Sequence, residues 1–532
     1  MLGLFWWDFA APLKKLIRVP TRIEMTQQKY RGIACGVVYG FLLPFVVQVA
    51  SAQVTLTDAI PITSEAQLFI DDHLIDKTDK VQRQVHIAEK YFPNPVLTYT
   101  EPWEGYCVIT WGSVIYDKEE GIFKCWYEAY RQTAPQGQHS SLCYATSKDG
   151  IHWIKPVLNL VDYEGSKANN IIFQPGQGLD SAVITKDAND PDPGRRYKMM
   201  FYLMADKTGP HAGPWGLYAA TSPDGLHWTA SNGPVVKAGD RAGFFYNPVR
   251  KSYSFFTRPG TTAPLTKVTR WIGVWESSNF QSFGEMQPVL WPDASDGSGT
   301  EFYSVQPFSY ESTILGYLEM FYNGENDARF RRLDTQLAIS QDGLHWNRAL
   351  DRAVILPFGP VGSWDGGWAF PSSNPPIRFD DKLYIYYQGR RTFHYGTRPR
   401  PFVQDGKTFQ INDPQFGHVG SIGLAFLRVD GFASMNATDQ PGVLRTKPLI
   451  IPKGLNLLIN AQVTGSLEVA ILDPSGKVLP RFGFDDSIAI KGDSLDHQAK
   501  WRKSDNINEL GGQPVILEFR MKDAALFSFR IK

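Results

Sequence analysis

The segment Ser-x-Asp-Gly-x-His-Trp occurs three times, at 147–153, 222–228 and 340–346, and each copy follows a short apolar run of strand type. A recurring unit of this kind constrains the fold more than any bulk property. Self-similarity at a period of about 40–50 residues or somewhat more marks a β-propeller, in which four-stranded sheets pack around a central channel. In each copy the Asp carboxylate caps backbone amides and the Gly supplies positive φ, while the Trp wedges into the sheet. These residues, the His included, read as structural, because the motif recurs and a catalytic site occurs once.

Two weaker copies, at 270–283 and 420–434, raise the count to five. Five aromatic-rich hairpins agree with it, at 113–127, 182–202, 244–256, 305–322 and 376–387. Their wide spacing leaves room for long loops at one end, where binding sites are built. The expected fold is therefore all-β: a five-bladed β-propeller over 53–436, followed by a small β-sandwich over 437–532, where the aromatic repeat stops. The segment 67–74 is expected to pair with the last blade and close the ring.

Bulk properties exclude several functions. Lys plus Arg and Asp plus Glu are balanced at 54 each, so no global field favours nucleic acid or an anionic membrane. Residues 1–52 read as a secretory leader: Lys29 and Arg31, an apolar run at 37–49, then Ala50-Ser51-Ala52 before Gln53. Met25 as the true start and a retained anchor remain open, although Pro44 interrupts a run shorter than the ~20 residues a bilayer requires. The mature chain is expected to be secreted or periplasmic and monomeric, with no membrane contact beyond that segment. It keeps Cys107, Cys125 and Cys143, expected as buried free thiols rather than a bridge between Cys125 and Cys143. Phosphate-binding Gly loops, serine-protease arrangements and zincin helices are absent. No cofactor is expected and no metal ligands are assigned; a structural calcium ion at the axis is left open.

Each predicted blade carries a carboxylate at or near the mouth of its first strand: Glu104, Asp180, Asp240, Glu301 and Asp365. Gathering carboxylates separates a proton donor from an ionised partner by mutual repulsion, as glycoside hydrolysis requires. Trp103, Trp111, Trp364 and Trp368 offer stacking faces for sugar rings, with Tyr303 beside Glu301. Arg258, Arg390, Arg391 and His394 either bind an anionic sugar or neutralise the funnel's carboxylates.

The five units, the Ser-x-Asp-Gly-x-His-Trp turns, the acidic pair Asp71 and Asp72 and the acidic strand starts resemble the five-bladed glycoside hydrolases of families 32 and 43 over about residues 66–434. The resemblance implies a triad: Asp72 (or Asp71) as base or nucleophile, Asp180 as transition-state stabiliser and Glu301 as general acid. The Trp-Met-Asn-Asp-Pro-type signature of family 32 is absent and Ser181 follows Asp180 where Pro is usual, which leaves Asp365 or Glu104 open for one of these roles. The expected function is hydrolysis of a poly- or oligosaccharide. The alternatives are a non-catalytic carbohydrate-binding propeller and a sialidase-like exo-glycosidase.

Overall fold

A computed structural model describes residues 59–532 apart from 106, 131–139, 175–177, 189, 205–213, 265–267, 395–400, 405–406, 411–419 and 455. The leader and anchor readings and Cys35 lie outside the described residues. Among those described, no helix is long and apolar enough to cross a membrane.

The described chain is all-β, arranged in several sheets. Five consecutive antiparallel units follow one another. The first contains Cys107–Asp117, Ile122–Tyr130, Ser140–Ser147 and Ile171–Phe173; the second Leu179–Lys186, Tyr197–Leu203, Gly216–Ser222 and Thr229–Ala230. The third runs Gly243–Asn247, Ser252–Thr257, Ile272–Ser277 and Gln287–Leu290. In the fourth, Thr300–Tyr310, Thr313–Tyr322 and Leu333–Ser340 are completed by two short strands, Trp346–Arg348 and Val354–Leu356. The fifth has Trp368–Pro371, Lys382–Arg390 and Gly420–Arg428, and its outer strand is Glu89–Lys90, from before the first unit. Single parallel partners, Leu333 with Trp368 and Gly420 with Cys107, link the fourth unit to the fifth and the fifth to the first.

The segment expected to complete the last unit is thus displaced. Gln67 and Leu68 pair with Phe529 and Ser528 instead, and Glu89–Lys90 takes the edge of Gly420–Arg428. The reason lies in burial: Phe69 packs on Phe519 and Phe529, which gives 67–74 an apolar partner at the C-terminal end of the chain. There a ten-stranded sheet is built on Leu457–Leu472 and Pro514–Ile531. It recruits Ile60–Pro61, Gln67–Leu68, Ile75–Asp79 and Gln82–Val85 as well as strands after residue 432. Buried Asp430, just past the last strand of the fifth unit, accepts from Tyr310 Oη of the fourth unit at 2.8 Å and from Ser528 Oγ of this sheet at 2.6 Å.

The repeated turns behave as their chemistry predicts. Asp149 Oδ1 accepts from the backbone N–H of Ile151 and His152, and Ser147 Oγ from Gly150 N. The same bonds recur at Ser222–Asp224 and Ser340–Asp342. In the weaker copy Asn279 replaces Asp, and Phe280 takes the positive φ of 60° that Gly holds elsewhere. The second weak copy, around Asp430, makes the bonds to Tyr310 and Ser528 just described rather than this turn. A neighbouring unit grips each full copy: Tyr386 Oη donates to Gly150 O, Trp126 Nε1 to Gly225 O, and Asn247 Nδ2 to Asp342 O. The three exposed His residues pair only with the Asp of their own turn.

Two stability tests follow. Gly225 sits at φ 78°, and an added Cβ meets Trp126 at 2.7 Å. Gly225→Ala should therefore cost at least about 2 kcal/mol in denaturant unfolding, from left-handed backbone plus overpacking, whereas His227→Ala should change stability by less than about 0.5 kcal/mol. Burial raises the Asp334 carboxyl to about 7, against the hydrogen bond from Tyr322 Oη at 2.8 Å, which favours the charged form. A carboxyl raised in the folded state contributes stability that is complete below about pH 4 and is lost as pH rises towards 7. Asp334→Asn should flatten the stability profile across that window, as read from melting temperature against pH.

Among the described residues Cys107, Cys125 and Cys143 are buried. Cys125 faces Ala145 while Cys143 faces Tyr127, so the register sets the two thiols on diagonal rather than opposite positions.

Candidate active site

The first strands of three units begin with irregular pairing. Register shifts fall between Ile109 and Ser113, between Asp180 and Val183, and between Phe302 and Ser304. Such bulges bend a strand and re-aim its side chains. Beside the second one Ser181 adopts φ 58°, an unusual value for a non-glycine residue. Its hydroxyl accepts from Ala242 N at 3.1 Å, and the next amide, Ala182 N, donates to Glu128 Oε1 at 2.8 Å. These bonds hold the strained residue that sets the direction of Asp180.

Around these strand starts the first, fourth and fifth units bring together Cys107, Ile109, Trp111, Tyr303, Phe321, Leu333, Trp368 and Phe370. Trp111 stacks on Trp368 with ring centroids 6.3 Å apart, and His394 stacks on the same Trp368 at 5.3 Å. His394 Nε2 lies 3.2 Å from Tyr303 Oη. Arg390 covers Trp368 at 4.5 Å, and Arg258 covers Tyr303 at 4.6 Å while pairing with Asp240. Arg270 pairs with Glu301 at 2.5 Å, and Thr269 Oγ1 donates to the same carboxylate at 3.3 Å. Buried Tyr303 feels the charges of Arg258, Asp180, Arg270 and Glu319 at once, which puts all four in one neighbourhood; burial pushes its phenol up.

The structure thus gathers nine expected residues: Trp111, Asp180, Asp240, Arg258, Glu301, Tyr303, Trp368, Arg390 and His394. Six others stand apart. Asp71 accepts from His73 N, and Asp72, on an exposed turn, pairs with Arg83, so the chain that would have carried them to the axis belongs to the C-terminal sheet instead. Glu104 is fully buried but committed, accepting from Thr100 N, Glu101 N, Tyr127 Oη and Lys155 Nζ. Asp365 is bound by Lys90, Ser363 and Tyr387 at the edge where Glu89–Lys90 joins the fifth unit. Trp103 donates to Asn170, and Trp364 packs on Tyr387, so both serve packing.

Glu128 and Glu319 of second strands, with Arg241 just before the first strand of the third unit, complete the group and were not anticipated. Fully buried Arg241 and Glu319 pair at 2.7 Å, with Arg241 Nη1 also donating to Ser373 Oγ at 3.0 Å. Glu128, fully buried, accepts from Ala182 N and from Tyr130 Oη. A charge inside an otherwise apolar strand, as in Trp126-Tyr127-Glu128-Ala129 or Leu318-Glu319-Met320, is the signal that finds them.

Electrostatically the centre is uneven. Three carboxylates have an arginine each: Asp240, Glu301 and Glu319. Asp180 and Glu128 do not, and burial followed by mutual repulsion raises Asp180 well above the usual carboxylate range, while burial raises Glu128. Arg241 and Arg258 oppose the rise at Asp180 without cancelling it. Asp180 Oδ1 is buried with no hydrogen-bond partner among the described residues. Such a pair holds a proton near neutral pH and can donate it. No group of His, Cys, Asp and Glu side chains suited to a metal ion occurs among the described residues.

No family model and no curated protein matches the chain. Among solved structures it is similar to a glycoside hydrolase at 13% identity and TM-score 0.44, over 64% of this chain and 92% of that one. A glycosyl hydrolase from Bacteroides ovatus matches at 18% identity and TM-score 0.42, over 65% and 94% of the two chains. A β-1,2-mannobiose phosphorylase from Listeria innocua, in complex with β-1,2-mannobiose, matches at 15% identity and TM-score 0.43, over 65% and 97%.

Proposed function

We propose that the chain is a glycosidase acting on a poly- or oligosaccharide at the axis of a five-bladed propeller, with the C-terminal sheet as an accessory layer. Five successive antiparallel units of four or five strands, with Glu89–Lys90 supplying the last outer strand, support the ring. The observation that carries the function is the buried Asp180–Glu128 pair, one oxygen of which is left without a partner beside arginine-bound carboxylates. In this reading Asp180 donates a proton to the leaving oxygen, backed by Glu128. Glu301, fixed by Arg270, is the second carboxylate that attacks the anomeric carbon or activates water. Trp111 and Trp368 give an apolar wall against which a sugar ring stacks.

The test is a glycan-library screen of wild type beside Asp180→Asn and Glu301→Gln. Turnover by wild type, with binding kept and hydrolysis lost in both variants, supports the enzyme. Glycan binding without turnover by wild type replaces it with a carbohydrate-binding propeller.

A further inference from the structure

Arg241, Arg258 and Arg270 each pair with a carboxylate, and Arg390 pairs with none among the described residues. Arg390 ends the strand Lys382–Arg390, and its guanidinium carbon lies 4.5 Å from the Trp368 ring centroid. Its Nε is buried and finds no acceptor among the described residues. Two more donors of the same cluster share that condition: the indole Nε1 of Trp368, 3% exposed, and that of Trp111, 6% exposed. Buried Thr392 Oγ1, two residues beyond Arg390, also has no partner among the described residues. Arg390 acts on Cys107 and Tyr130, Asp180 also acts on Tyr130, and burial pushes Cys107 and Tyr130 up, so both are neutral near pH 7. Glu128 shares those two neighbours, but its oxygens are taken by Ala182 N and Tyr130 Oη.

Buried N–H groups without acceptors are rare, because leaving water unrewarded is costly. Here three belong to one cluster, and one of them is on a guanidinium with no ion pair among the described residues. What each of them lacks is an acceptor, and an acceptor-only group of negative charge suits them by chemistry: planar guanidinium recognises oxyanions, and indole N–H can only donate. Building on the glycosidase reading, we propose that Arg390, Trp368 and Trp111 form a subsite for an oxyanion carried on the sugar, the carboxylate of a uronic acid or a sulfate ester. Asp180 would then act on the bond beside an acidic residue of the glycan.

The full chain is titrated with galacturonate, galactose 6-sulfate, galactose and inorganic sulfate, followed by tryptophan fluorescence and calorimetry. The expected result is at least ten-fold tighter binding of one acidic sugar than of galactose, weakening as sodium chloride is raised. A preference for galacturonate assigns a carboxylate, and one for galactose 6-sulfate assigns a sulfate ester. Arg390→Met should reduce the preference to less than two-fold with affinity for galactose kept, and Arg390→Lys should recover part of it. Equal affinity for acidic and neutral sugars, a preference that survives Arg390→Met, or inorganic sulfate binding as tightly as either acidic sugar overturns the subsite. Should Arg390→Met fail to fold, the wild-type comparison and its salt dependence still decide. Acidic-sugar preference without turnover keeps the subsite and removes the glycosidase; turnover of neutral glycans alone does the reverse.

Discussion

Asp180→Asn is expected to lower turnover by about 10²–10⁴-fold with little change in melting temperature, since the amide keeps the shape of the side chain but has no acidic proton to give. Its folding cost should be small because the wild-type carboxyl is already driven towards its neutral form by burial and by Glu128. The pH profile supplies a second readout. A donor pair raised in this way loses its proton on the alkaline side, so activity should fall there. Arg241 pulls Asp180 downward, so Arg241→Met should move that alkaline limb to higher pH. An unmoved limb would mean that another group supplies the proton.

The second large effect concerns folding. Arg241 and Glu319 are both fully buried and paired at 2.7 Å. Glu319→Ala leaves the guanidinium in the interior without its counter-charge and should cost about 3–5 kcal/mol in chemical unfolding. The double variant Arg241→Met with Glu319→Leu should recover most of that loss, because it removes both desolvation penalties and fills the space with apolar atoms. Two single losses that simply add would show that the pair is not the unit of stability. Arg241 also lies against Trp111 and Phe370. For this reason the double variant should fold yet alter the aromatic wall, with glycan affinity as the measure.

The sheet units were legible in the sequence because their turns depend on local chemistry. Ser, Asp and Gly at fixed offsets bind backbone amides within three residues, and that pattern survives any arrangement of the sheets around it. Even the Asn279 copy was visible. Long-range pairing is a different matter. Gln67 and Leu68 alternate like any edge strand, and nothing local distinguishes Ser528 and Phe529 as their partners from the strand Gly420–Arg428. Placing Asp72 at the centre failed for the same reason.

The centre itself was half visible. Reading the starts of first strands found Asp180, Asp240 and Glu301, and the Trp and Arg residues near them. It overcounted where an acidic residue is used locally, as at Glu104, whose oxygens are occupied within a few residues and by Lys155. It undercounted Glu128 and Glu319, since they lie inside second strands rather than at the mouths of first ones. Their burial next to Asp180 and Arg241 depends on how neighbouring units meet, which no short window of sequence contains.

The pairing of the chain's early strands with its last ones sets the order of assembly. Strands within 60–85 have partners no earlier than residue 433, so during synthesis they wait, unpaired, until almost the whole polypeptide has left the ribosome. A stalled or shortened product therefore exposes four orphan β-edges at its front as well as missing its rear. Joining residue 532 to residue 59 and opening new ends at an exposed loop would make those contacts local, and such a rewired chain should refold faster than the natural one.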